Sequence, residues 1–137
     1  MGVRRDAREQ ALQALYAVEL NPASSREALR LFWAGARCGA SVRTFAEELI
    51  AGVLENREAV DGRITEKSPN WSLNRMSRID LCIIRLAVYE LLFRPDIPKN
   101  VTINEAIEVA KKFGSEESPA FVNGIVDEVA RTVADKK

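Results

Sequence analysis

Residues 78–93 read RIDLCIIRLAVYELLF, and this stretch decides the fold. Ile79, Leu81, Ile83, Ile84, Leu86, Ala87, Val88, Leu91 and Leu92 fall on every side of a helical axis. A helix that is apolar all round in a water-soluble protein is central and is wrapped by its neighbours. The spacing therefore predicts a core helix over 78–93, with Ser77 and Asp80 placed for capping. Its most apolar part, Leu81 to Phe93, is interrupted by Arg85 and Glu90 and is too short to span a bilayer. Asn74, Arg78, Asp80, Arg85 and Tyr89 bring polar groups onto or just before this helix. Polar groups there are either paired internally or meet a partner, and both readings stand at this point.

Working outward, the chain is helix after helix. Downstream, Arg94-Pro95-Asp96-Ile97-Pro98 is a stiff connector. Thr102 and Glu105 have capping-box spacing, and Ile103, Ala106, Ile107, Ala110 and Phe113 follow as an apolar face, with Gly114 as a stop. Ser118 and Pro119 predict the start of a last helix that runs to about Ala134. Upstream, 68–73 reads as a turn. A single long helix is predicted from about Val42 to Thr65, capped by Ser41. Another runs from about Arg26 to Arg37 behind a Ser24/Glu27 capping box. The first runs from about Val3 to Glu19 and is ended by Asn21-Pro22. No stretch alternates like a strand for long. The expectation is an all-α protein, a compact bundle of six or seven helices forming one domain.

Composition narrows the function. The 137 residues are 47% apolar and 29% charged, an ordinary globular balance. Twenty basic and twenty acidic side chains give a formal net charge of zero, so affinity for nucleic acid must come from a local patch. There is no histidine, which removes the commonest general base and metal ligand. Cys38 and Cys82 cannot make a zinc site alone and read as free thiols. No phosphate-binding, dinucleotide or nucleophile-elbow motif occurs. A binding protein without catalytic residues, metal or cofactor is expected. The opening MGVRRDAREQ carries no apolar signal core, so a cytoplasmic location is expected.

Two segments have the chemistry of an RNA site. At about 100° per residue, Ala7, Ala11, Ala14, Leu15 and Val18 of the first helix cluster on one side, and Arg5, Glu9, Gln13 and Tyr16 cluster opposite. Tyr16 lies roughly 150° from the middle of the apolar stripe on that count. A ring beside arginines suits single-stranded RNA, because the ring stacks on an unpaired base while guanidinium groups meet phosphates. The alternative is that Tyr16 packs beneath another helix or the 20–25 loop. The second segment, residues 111–121 (KKFGSEESPAF), joins two lysines, two aromatic rings and a helix start. Phe113 also completes an apolar stripe, and the lysines also suit a helix C-terminus.

The chain resembles the bacterial transcription antitermination factors of the NusB family. The likeness rests on Ile84-Arg85-Leu86-Ala87-Val88-Tyr89-Glu90-Leu91 and then, in order, Ile97-Pro98, Ile103-Asn104-Glu105-Ala106-Ile107-Glu108, Ala110-Lys111, Phe113-Gly114 and Phe121-Val122-Asn123-Gly124. Arg4-Arg5, Ala7-Arg8-Glu9, 11–16 (ALQALY) and 71–75 (WSLNR) add to it. Residues 20–60 match in helical pattern only.

The resemblance implies two packed helical subdomains, about 1–67 and 68–137. It implies binding of the boxA element of ribosomal RNA leader transcripts, jointly with the small-subunit ribosomal protein NusE, within the antitermination complex of RNA polymerase. Carried over by position, the RNA contacts are Arg4, Arg5, Arg8, Gln13, Tyr16, Lys111, Phe113, Glu117 and Phe121. The protein-partner contacts are Asn74, Arg78, Asp80 and Tyr89. Asp6 within the arginine run and Glu117 in place of a shorter aspartate imply that tight RNA binding needs the ribosomal partner. Two further readings are a NusB-like, RNA-targeting domain of an RNA methyltransferase, which requires a catalytic domain downstream of Lys137, and a protein–protein adaptor or homodimer that hides the arginine face.

Overall fold

The computed structural model describes residues 2–136. Seven α-helices follow one another: α1 (Val3–Leu20), α2 (Ser25–Gly35), α3 (Ala40–Glu55), α4 (Arg57–Lys67), α5 (Arg78–Phe93), α6 (Lys99–Phe113) and α7 (Ser118–Ala130). A single 3-10 turn, Leu73–Arg75, precedes α5. No strand occurs among the described residues. None of the helices is long and apolar enough to cross a membrane.

α5 is the core helix that its sequence predicts. Every residue from Asp80 to Leu91 is buried, and α1, α3, α4, α6 and α7 all pack against it. α2 lies against α1. Each large aliphatic side chain removed from water in this way contributes about 1.5–3 kcal/mol. The capping expected at Ser77 is present, since its hydroxyl accepts from the Asp80 N–H at 3.0 Å. Ser24 likewise accepts from the Glu27 N–H at 3.1 Å, although the Glu27 carboxylate turns to Arg30 rather than completing the box.

Several boundaries differ from the sequence pattern, each for a local reason. The single helix expected over 42–65 is two helices. At Asn56 (φ −112°, ψ 22°) the chain leaves helical geometry, and the Asn56 side-chain amide donates to the Gly52 carbonyl at 2.8 Å, competing with the backbone. The break lets α4 turn Val60 and Ile64 fully into the core. α3 starts at Ala40 without a side-chain cap, so Ser41 lies within its first turn. α2 stops at Gly35.

α6 starts at Lys99, just after Pro98, so Thr102 does not cap it. Thr102 is buried and donates its hydroxyl to Glu90 Oε1 at 2.8 Å. α7 ends at Ala130, and Lys99 donates to the carbonyls of Ala130 and Val133 just beyond it. Gly114 follows α6 in an extended conformation (φ −94°). Its requirement is space, because a Cβ there would run into the Ser118 side chain.

Candidate nucleic-acid interface

The nine residues assigned to RNA are distributed unevenly by the fold. Arg4 is exposed, lies 3.4 Å from Asp96 and sits over the Phe45 ring at 4.6 Å. Arg5 makes a two-pronged pair with Glu105 of α6, at 2.7 and 3.0 Å. Gln13 is exposed and donates to the Glu9 carbonyl at 3.1 Å. Lys111 is exposed beside Glu108 at 3.3 Å. Its neighbour Lys112 crosses to Glu9 of α1 at 2.8 Å and lies 5.6 Å from the centre of the Phe113 ring. Glu117 is exposed and accepts from the Ser115 hydroxyl at 3.3 Å. Phe113 and Phe121 are half-buried against the core. Thus Arg5, Lys112 and the 113–121 segment share one side of the molecule, where α1 runs along α6. Arg4, Arg5 and the edge of Arg8 also line an open groove of about 530 Å³ with Ile97, Pro98, Val101 and Glu105.

Arg8 is the exception. Its side chain is 7% exposed, and its guanidinium is fastened to Glu90, itself 2% exposed, at 2.7 and 3.1 Å. Exposed ion pairs are worth about 0–1 kcal/mol and exchange easily for a phosphate. A buried pair cannot be opened at that cost, so Arg8 holds α1 to α5 and is not open to RNA.

Tyr16 is neither free nor core: the ring is partly buried and packs on the core. Leu12 and Arg8 are buried beside the alanines, and both lie on the Tyr16 side of the stripe. The buried arc of α1 is therefore wider than the small apolar residues suggest, and its centre moves toward Tyr16, which comes to rest about 130° away.

The residues assigned to a protein partner separate in the same manner. Asn74 is exposed in the 3-10 turn. Arg78 is occupied, donating to the carbonyls of Leu73 at 2.6 Å and Met76 at 3.0 Å and pairing with Glu19 at 3.2 Å. Asp80 is buried, and its Oδ1 is the one enclosed side-chain polar atom without a hydrogen-bond partner among the described residues. Tyr89 is not a surface residue. It is 8% exposed, stacks on Phe93 with ring centres 5.7 Å apart and covers the backbone at Gly52, where a Cβ would enter the ring. Arg85 proves to be internally paired, reaching Asp61 at 2.8 Å and Glu19 at 3.1 Å.

These pairs shape the acid response. Burial pushes the Glu19 carboxyl up, but Arg85, Arg57 and Arg78 together outweigh it, and the net shift is downward. The Arg5 hydrogen bond holds Glu105 low against a smaller desolvation penalty. Arg94 holds Asp96 down at about 2. Carboxyls depressed by folding stabilise the native state above their unfolded values, and that contribution is lost as pH falls through the folded ones. Thermal unfolding is expected to be flat from about pH 7 to 5 and to weaken progressively below about pH 4. A melting temperature that holds steady down to about pH 2 would contradict this pairing.

Sequence reasoning assigned no role to Trp71 and Arg75. Trp71 meets Phe121 edge-to-face at 5.7 Å, and Arg75 lies over the indole at 5.9 Å. The signal available was the WSLNR stretch itself, a large ring and a cation in a turn.

An all-helical bundle with a buried ionic core and exchangeable surface cations beside half-buried rings defines a small helical class of protein with the chemistry of a nucleic-acid binder. Residues 5–131 match the sequence profile of the NusB family, and the chain belongs to that family. It is 57% identical over 137 residues to the transcription antitermination protein NusB of Geobacter sulfurreducens (strain ATCC 51573 / DSM 12127 / PCA), covering 99% of each chain. Among solved structures it is similar to T. maritima NusB, with a TM-score of 0.86 at 39% identity, covering 97% of this chain and 94% of that one. The fold also matches a structure of antitermination factors NusB and NusE in complex with dsRNA, with a TM-score of 0.82 at 21% identity, covering 95% and 97%.

Proposed function

We propose that this chain is a cytoplasmic transcription antitermination factor that works by binding, not catalysis. It engages boxA RNA of ribosomal RNA leader transcripts together with the ribosomal protein NusE, as part of the RNA polymerase antitermination complex. The observation that carries this reading is the 57% identity, end to end, with a transcription antitermination protein NusB. The RNA face is Arg4, Arg5, Gln13, Tyr16, Lys111, Phe113, Glu117 and Phe121. The partner surface centres on exposed Asn74, with Asp80 buried just behind it at the start of α5. Two helical subdomains, about 1–67 and 68–137, pack across each other, and the second contributes the central α5.

The test is binding of a labelled boxA RNA with and without NusE. With about three phosphate contacts, log affinity for the single strand falls with log salt at a slope near −2. Equal affinity for any RNA of that length, or a flat slope, would count against boxA recognition. Tyr16→Ala is expected to cost about 1–3 kcal/mol of RNA binding while the bundle stays folded. Normal binding with early unfolding would make Tyr16 a packing residue only.

A further inference from the structure

The cations assigned to RNA on the α1–α6 side are each already held by a carboxylate: Arg5 by Glu105, Lys111 by Glu108, and Arg4, more loosely, by Asp96. Phosphate must displace those partners. Arg75 differs. It is exposed and forms no ion pair among the described residues. Its guanidinium lies 5.9 Å from the centre of the Trp71 indole. Trp71 is itself 47% exposed, an unusual position for the largest apolar side chain.

The backbone that carries the ring is held in place: the Trp71 backbone N–H donates to the Ser68 carbonyl at 3.0 Å, and the Ser68 hydroxyl donates to the Ile64 carbonyl at 2.6 Å. On its far side, Arg78 ties down the carbonyls of Leu73 and Met76. The edge-to-face contact with Phe121, at 5.7 Å and 74°, joins the indole to the first turn of α7. A large aromatic surface fixed in advance, with a free cation over it, meets the two demands of a single strand: a π-face for a base and a charge for the adjoining phosphate. Preorganisation lowers the ordering cost of binding.

We infer that Trp71 and Arg75, continuous with Phe121, form a second stacking site for single-stranded RNA. The inference rests on the RNA-binding reading above and adds a site to it. Asn74, assigned to NusE, lies in the same turn, so a protein contact at Trp71 is the competing outcome.

The experiment uses the full chain carrying Trp33→Phe, which leaves Trp71 as its one tryptophan. A Trp33→Phe, Trp71→Phe form serves as the blank. NusE is added first and boxA RNA second, with anisotropy of labelled RNA followed in parallel. Trp71 emission is expected to stay unchanged on adding NusE and to be quenched saturably by RNA, in step with anisotropy. Trp71→Ala is expected to weaken RNA binding roughly 5- to 150-fold. Arg75→Gln is expected to reduce the steepness of the salt dependence by about 0.7 without changing the melting temperature. Because Arg75 is a surface residue, that variant decides the matter even if Trp71→Ala folds poorly.

RNA binding with silent Trp71 emission and an unchanged salt slope in Arg75→Gln would overturn this site and leave the proposed function standing. Emission that responds to NusE alone, with NusE binding lost in Trp71→Ala, would reassign the ring to the protein partner. Failure of the unaltered NusE complex to bind RNA would overturn both.

Discussion

Arg8→Ala is expected to destabilise the fold by about 3–5 kcal/mol, a large fraction of the 5–15 kcal/mol typical of a domain's whole stability. The variant leaves Glu90, 2% exposed, with only the Thr102 hydroxyl in place of a two-pronged guanidinium. An uncompensated buried carboxylate is far worse than either a complete pair or no pair. Arg8→Met combined with Glu90→Met is therefore expected to recover much of the loss. Denaturant unfolding measures both variants. RNA affinity, referred to the folded fraction, should change little in the double variant. A stable Arg8→Ala protein with weakened RNA binding would show that Arg8 faces the ligand and that the pair with Glu90 is dispensable.

The second large effect is at Tyr89. Truncating a buried ring to alanine costs about 3–5 kcal/mol, and Tyr89 is 8% exposed where α3 meets α5. Gly52 is what permits the approach, because any Cβ there enters the ring. Gly52→Ala is expected to cost about 1–3 kcal/mol by overpacking. Combined with Tyr89→Ala it should cost less than the two losses added, since the new methyl fills part of the space vacated. Chemical denaturation of the three variants gives the coupling. NusE binding should be normal wherever the variant is folded. Selective loss of NusE binding at unchanged stability would return Tyr89 to the partner surface.

Arg5 and Arg8 show where sequence reading stops. They are three residues apart in one basic run, and the helical wheel sets Arg8 only about 60° nearer the apolar stripe than Arg5. Their difference lies in what faces them: Glu105 at the rim for one, Glu90 in the interior for the other. Thr102 and Glu105 keep the spacing of a capping box, yet both side chains are drawn to groups far away in sequence, Glu90 and Arg5. Tyr16 sat opposite the small apolar residues of α1, but the buried arc widened toward it once Leu12 and Arg8 were included. In each case a distant partner, not the local pattern, set what the side chain touches.

The amino-acid sequence determined the helical class, the central position of 78–93, the absence of histidine chemistry and the family motifs, because these depend on periodicity, composition and order along one strand of chain. Tertiary structure alone decided which charges are available. The ion pairs of the first half of α1 depend on residues 82 to 103 positions apart meeting within about 3.5 Å, and no local pattern encodes that. It withdrew Arg8 and Tyr89 from the surface, left the exposed α1 cations in weak exchangeable pairs, and set Arg75 free over the Trp71 ring.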